Sequence, residues 1–161
     1  MFGLNALCDP EMPVYISPPL FLENVNISYN HGDLSMSTNV NDCKICITSL
    51  YDYGENYFFV VDSVNTYSDQ LSAGAYRICV TKAGYIPYIA YVGDNLYIQN
   101  ENFIMDTSIQ GDNVYAGSNV TALKENGSVI VSSGRTIIKG TNKTTIKGVF
   151  KVDRGASFEV H

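Results

Sequence analysis

The run CKICITSLY, residues 43–51, alternates side chains suited to a core with side chains suited to water. A period of two fits a pleated strand buried on one face and does not fit a helix. Strand character recurs in VNISY (25–29), LSMSTNV (34–40), YFFVVDSV (57–64), the most apolar of the runs, AYRICVTK (75–82) and YIAYV (88–92). Turn chemistry separates these runs: NHGD follows the first, NDC the second, DYGEN fills 52–56 and LSAG precedes 75. Pro13, Pro18 and Pro19 make residues 12–20 an extended entry. Long Ala/Leu/Glu/Lys windows at helical spacing are absent, while twelve Tyr, seven Phe and abundant β-branched residues favour strands. The chain is therefore expected to be all-β. Six or seven short strands over residues 12–94 predict an antiparallel sandwich of immunoglobulin type. Its inward-facing residues would include Ile45 and Ile47 on one strand and Tyr76, Ile78 and Val80 on another.

The remainder follows a different rule. VIVSSGRTI (129–137) and FKVDRGASF (150–158) share the pattern apolar–x–apolar–x–x–Gly–x–x–apolar, twenty-one residues apart. NVYAGSNV (113–120) is a looser echo, and TIIKG and TTIKG recur eight residues apart. A period near twenty with short strands and regular glycine predicts a small β-solenoid-like unit over 95–161, with Gly134 and Gly155 at equivalent corners. The boundary is expected at GDN, residues 93–95. Residues 1–11 stand outside both units.

Charge divides the chain in the same way. Residues 1–123 hold three bases against thirteen acids, net −10, and residues 124–161 hold seven bases against three acids, net +4. A nucleic-acid binder would carry a basic domain with a recognition motif, and neither is present. No apolar run is long enough for a membrane span. The opening residues lack the basic and apolar regions of a signal peptide, so the expectation is either a cytoplasmic protein or an internal fragment of a larger one.

Candidate chemistry is sparse. Cys43 and Cys46 form C-x-x-C, but inside a strand positions i and i+3 face opposite ways, so their sulfurs diverge and no metal or redox site is expected. Cys46 and Cys79 could imitate an inter-sheet disulfide, yet alternation turns both away from the core, so free thiols are expected. Cys8 with His31 is the one Cys/His pairing that invites a catalytic dyad, but neither sits where a preformed pocket is expected; His161 is the last residue. Catalytic residues, cofactors and metal ligands are thus all expected to be absent. Lys139, Lys143, Lys147 and Lys151 recur every fourth residue. On stacked strands they could meet an anionic glycan or a lipopolysaccharide surface, or serve as a solvated ladder that keeps a sheet edge from aggregating, the reading preferred here. Four Asn-x-Ser/Thr sequons, at Asn26, Asn119, Asn126 and Asn142, are cheap matches in so polar a chain.

Residues 5–15, NALCDPEMPVY, resemble the segment that closes the catalytic domain of gingipain-type cysteine peptidases of Bacteroidetes-like bacteria. Asn5, Leu7, Asp9, Pro10, Glu11, Met12, Pro13 and Tyr15 stand at the matching positions, and Cys8 replaces the usual glycine. VTKAGYIPYIAYV (80–92) and NLYIQN (95–100) are similar to the last strands of the immunoglobulin-like domain that follows in that family. The tail from about residue 101 resembles C-terminal segments of secreted proteins in the same bacteria. The resemblance implies a non-catalytic, post-catalytic region, secreted or held on the outer surface of a Gram-negative cell, whose partner is its own upstream peptidase domain. The family's catalytic His and Cys belong to that domain and match no position here. An adhesin-like or glycan-binding module is the alternative, resting on exposed Tyr and the lysine row.

Overall fold

A computed structural model describes residues 18–51 and 58–161. The stretch NALCDPEMPVY, with Cys8, and the whole DYGEN turn lie outside the described residues. What is described is all-β: strands in several sheets, and no helix.

The chain enters through β1 (Leu20–Phe21) and makes β2 (Asn26–Asn30), β3 (Asp33–Ser37), β4 (Cys43–Ser49), β5 (Phe58–Val64), β6 (Thr66–Gln70), β7 (Ala75–Thr81) and β8 (Tyr85–Ile86). It continues through β9 (Tyr88–Ile98), β10 (Glu101–Phe103), β11 (Thr107–Gly117), β12 (Val129–Val131), β13 (Arg135–Lys147), β14 (Phe150–Val152) and β15 (Ser157–Val160). A seven-stranded sheet runs β15-β13-β11-β9-β7-β4-β5, antiparallel from β5 to β9 and parallel from β9 to β15. Two three-stranded sheets accompany it, β2-β3-β6 antiparallel and β10-β12-β14 parallel. β1 and β8 form a short parallel pair.

Two apolar clusters organise these sheets. The first gathers Ile27 and Tyr29 of β2, Leu34 and Met36 of β3, Cys43, Ile45 and Ile47 of β4, and Tyr76, Ile78 and Val80 of β7, together with Ala90 and Val92 of β9. The alternation read from CKICITSL and AYRICVTK points the same residues inward, and all five are buried. The second cluster lies among the parallel ladders and holds Tyr91, Leu96, Ile98, Phe103, Ile109, Val114, Ala116, Val129, Val131 and Ile138.

β9 belongs to both clusters. Ala90 and Val92 face the first and Tyr91 the second, so this half of the strand is covered on both sides. Beyond Asn95 the inward positions are Leu96 and Ile98, so the parity changes at residues 93–95 and the strand turns a corner. β11 changes parity in the same way, from Ile109 to Val114, and its pairing with β13 slips between Gly111 and Asn113. The expected boundary at residue 94 therefore falls inside a continuous strand rather than in a linker. β6 escapes the sequence reading because TYSDQ has no fully buried position.

The two segments with a shared pattern do lie on one another. Val129 pairs with Phe150, Ile130 with Lys151 and Val131 with Val152, at an offset of twenty-one residues. Gly134 and Gly155 both follow these strands, with φ of 73° and 94°. They differ in surroundings: a Cβ on Gly134 would lie 2.6 Å from the Met105 carbonyl carbon, whereas nothing lies within 4 Å of one on Gly155. Left-handed backbone alone costs a non-glycine residue about 1–2 kcal/mol. Gly155→Ala should therefore cost about 1 kcal/mol, and Gly134→Ala about 2–3 kcal/mol because a backbone clash is added. Urea midpoints at constant m-value check the order. Equal losses would contradict it.

Candidate functional site

The corner of β9 reads Gly93-Asp94-Asn95, that of β11 Gly111-Asp112-Asn113, and that of β13 Gly140-Thr141-Asn142. Parallel pairing aligns Gly93 with Gly111 and Gly111 with Gly140, and Asn95 with Asn113. The glycines are required by close approach. A Cβ on Gly93 would lie 2.5 Å from the Gly74 carbonyl oxygen, and one on Gly111 would collide with the carbonyl oxygen of Gly93. The asparagines form a ladder: Asn142 Nδ2 donates to Asn113 Oδ1 at 2.8 Å, and Asn113 Nδ2 donates to Asn95 Oδ1 at 3.0 Å.

The aspartates meet the turn between β2 and β3. There NHGD folds with His31 at φ 47° and Gly32 at φ 94°, as turn chemistry leads one to expect. His31 Nδ1 lies 3.1 Å from Asp112 Oδ2, and Thr141 Oγ1 donates to Asp112 Oδ1 at 2.8 Å. The buried Tyr29 hydroxyl donates to Asp94 Oδ1 at 3.1 Å. Burial, and then the negative charge of Asp94, hold the Tyr29 phenol well above the usual tyrosine range. Ligand atoms of His31, Asp94 and Asp112 all lie within 4.8 Å of one another, a donor set that a divalent cation could use. Yet both carboxylates already have partners, and the imidazole is mostly in water. The cluster acts as a polar tie between the antiparallel sheet and the corners.

The sequence reading missed this cluster because its members are far apart in the chain. The repeated GDN was the available signal. It stands twice, eighteen residues apart, and the third corner, twenty-nine residues on, reads GTN, so both the changed residue and the unequal spacing hide the repeat. The extra length is the excursion 118–128, held by one fully buried side chain. Gln99 Nε2 donates to the carbonyls of Thr121, Lys124 and Glu125, and its Oε1 accepts from the amides of Val120 and Thr121.

The remaining sequence candidates do not converge. Cys43 is buried and donates to the Val40 carbonyl at 3.3 Å, whereas Cys46 is partly exposed, so C-x-x-C straddles the sheet as alternation requires. Cys46 and Cys79 are free and directly opposite each other on β4 and β7, in one sheet rather than two, so no inter-sheet bridge can form between them. His31 is engaged with Asp112, and His161 Nε2 lies 3.4 Å from Glu159 Oε2. All four lysines of the row are exposed, but they divide: Lys139 precedes the corner of β13, Lys143 and Lys147 follow it on one side of the strand, and Lys151 lies on β14, 2.6 Å from Asp153. No helix among the described residues is long and apolar enough to cross a membrane.

A half-exposed aromatic column stands beside the corners. Tyr97 and Tyr115, paired across β9 and β11, stack at 5.2 Å with planes 14° apart. Tyr51 tilts against Tyr97 at 6.1 Å, and its hydroxyl accepts from the Tyr97 amide and donates to the Tyr97 carbonyl. Beside it a cavity of about 260 Å³ is lined by Leu50, Tyr51, Tyr97, Leu123 and Lys124. The chain matches no protein-family model, and neither the curated proteins nor the solved structures contain a significant match to it.

Tyr29 and Tyr91 give a pH signature. Burial is the first cause of both shifts, and it pushes Tyr91 to about 12. The folded state keeps these protons where the unfolded chain, at about pH 10, releases them. The stabilisation is therefore complete below about pH 10 and drains as pH rises through the folded values. Tyr29→Phe should flatten the loss of urea stability between about pH 9 and 11. A double-mutant cycle with Asp94→Ala at neutral pH should give a coupling of about 1 kcal/mol. A cycle that closes to zero would remove the polar tie.

Proposed function

We propose that this chain is a non-catalytic accessory region of a secreted, gingipain-like cysteine peptidase, which it stabilises or presents at the outer surface of a Gram-negative cell. In this reading residues 12–94 are an immunoglobulin-like sandwich and 95–161 a solenoid-like unit. The observation that carries it is the unbroken seven-stranded sheet. Because β9 enters both clusters, the parallel strands extend the antiparallel half as one stiff body. That suits a spacer or cap better than a flexible tether. The resemblance of residues 5–15 and 80–100 supplies the peptidase partner. Binding of glycans is a second reading, favoured by the stacked Tyr97 and Tyr115.

Two measurements test the first reading. The coding sequence upstream of Met1 should specify a domain with a catalytic His and Cys. The purified chain should not hydrolyse peptide substrates at neutral pH, with or without a thiol reductant. An unrelated upstream sequence, or thiol-dependent turnover abolished by Cys8→Ala, would overturn it.

A further inference from the structure

The aromatic column stops one strand short. Tyr97 and Tyr115 occupy paired outward positions, with Tyr51, buried in the second cluster, against Tyr97, and the position paired with Tyr115 on β13 is Thr145. The near-parallel planes of Tyr97 and Tyr115, stacked along the ladder, leave the far face of Tyr115 toward the strand position held by Thr145, a small hydroxyl side chain. Among the described residues, Tyr97 is its one ring neighbour. Lys143 and Lys147 flank Thr145 on the same side of β13, each about 7 Å along the strand. Both are exposed, and neither has an ion pair among the described residues.

We propose that this gap is a binding site for an anionic saccharide, one bearing uronic carboxylates. It rests on the glycan-binding reading, not on the peptidase one. A pyranose presents an apolar face of C–H groups that an aromatic ring covers well, and a carboxylate on the same ring meets an ammonium on either side. The Thr145 hydroxyl adds a donor and acceptor at the floor of the gap. The local charge agrees: residues 124–161 carry net +4 in a chain of net −6. The same feature argues against a nucleic acid. A polynucleotide needs a basic track over many phosphates, and here two lysines flank a single ring position on an otherwise acidic molecule.

Calorimetric titration with tetragalacturonate, a neutral cellotetraose and oligo(dT) tests the site on the full chain. Tetragalacturonate should bind and weaken with added salt, and cellotetraose should bind at least about tenfold more weakly. Tyr115→Ala should lower the affinity about tenfold. The pair Lys143→Gln and Lys147→Gln, both on exposed positions that leave the ring stack intact, should do the same and abolish the salt dependence. Thr145→Tyr, which fills the gap, should block binding while circular dichroism stays unchanged. Tetragalacturonate binding that none of these variants alters would overturn the site and leave the glycan-binding reading in place. Tighter binding of cellotetraose or of oligo(dT) would overturn the ligand class. No binding to any of the three overturns the proposal.

Discussion

A strand buried on both faces dominates this molecule. From Tyr88 to Val92, β9 closes the first cluster with Ala90 and Val92 and opens the second with Tyr91. A strand with two dry faces has no solvent side on which to slip, so its register is fixed from both directions. That fixed strand is the template on which β11 lays its parallel pairing, and β13 and β15 follow in turn. The second cluster exists only because those strands stack, and each fully buried Ile, Leu or Val there contributes about 1.5–3 kcal/mol.

Polar side chains then decide how the stack is finished. Bending three strands at one level requires glycine where backbones touch, and it leaves amide and carboxylate groups in contact at the bend. Asn95, Asn113 and Asn142 satisfy each other. Asp94 and Asp112 are satisfied from the other sheet, by Tyr29 and His31. Gln99 does similar work inside: one buried amide satisfies five backbone groups of the excursion 118–128, and its loss would strand several of them at about 1–3 kcal/mol each.

Local patterns in the sequence were legible where one residue's environment depends on its neighbours. Ile45, Ile47, Ile78 and Val80 face inward as a period of two requires, and Cys43 and Cys46 face opposite ways for the same reason. The shared pattern of residues 129–137 and 150–158 corresponds to direct pairing of Val129 with Phe150. What was not legible depends on contacts remote in sequence. Tyr91 reads as the polar-side residue of a half-buried strand until the second cluster covers it. The corners GDN, GDN and GTN are spaced unequally by an excursion whose anchor, Gln99, precedes it by some twenty residues. A spacing of four puts the lysine row on one face only of a straight strand, and β13 bends after Lys139.

Coupling of the two clusters through β9 can be measured by equilibrium unfolding with hydrogen exchange read on both halves. Ile78→Ala truncates the first cluster and Ile109→Ala the second, each at a fully buried site and each at a cost of about 2–5 kcal/mol. One shared transition should move to lower denaturant in both variants, with protection falling together in residues 26–81 and 107–160. If Ile109→Ala instead splits off an early transition confined to residues 101–161, and residues 26–81 keep their original midpoint, the parallel strands are a separate unit and β9 does not bind the molecule together.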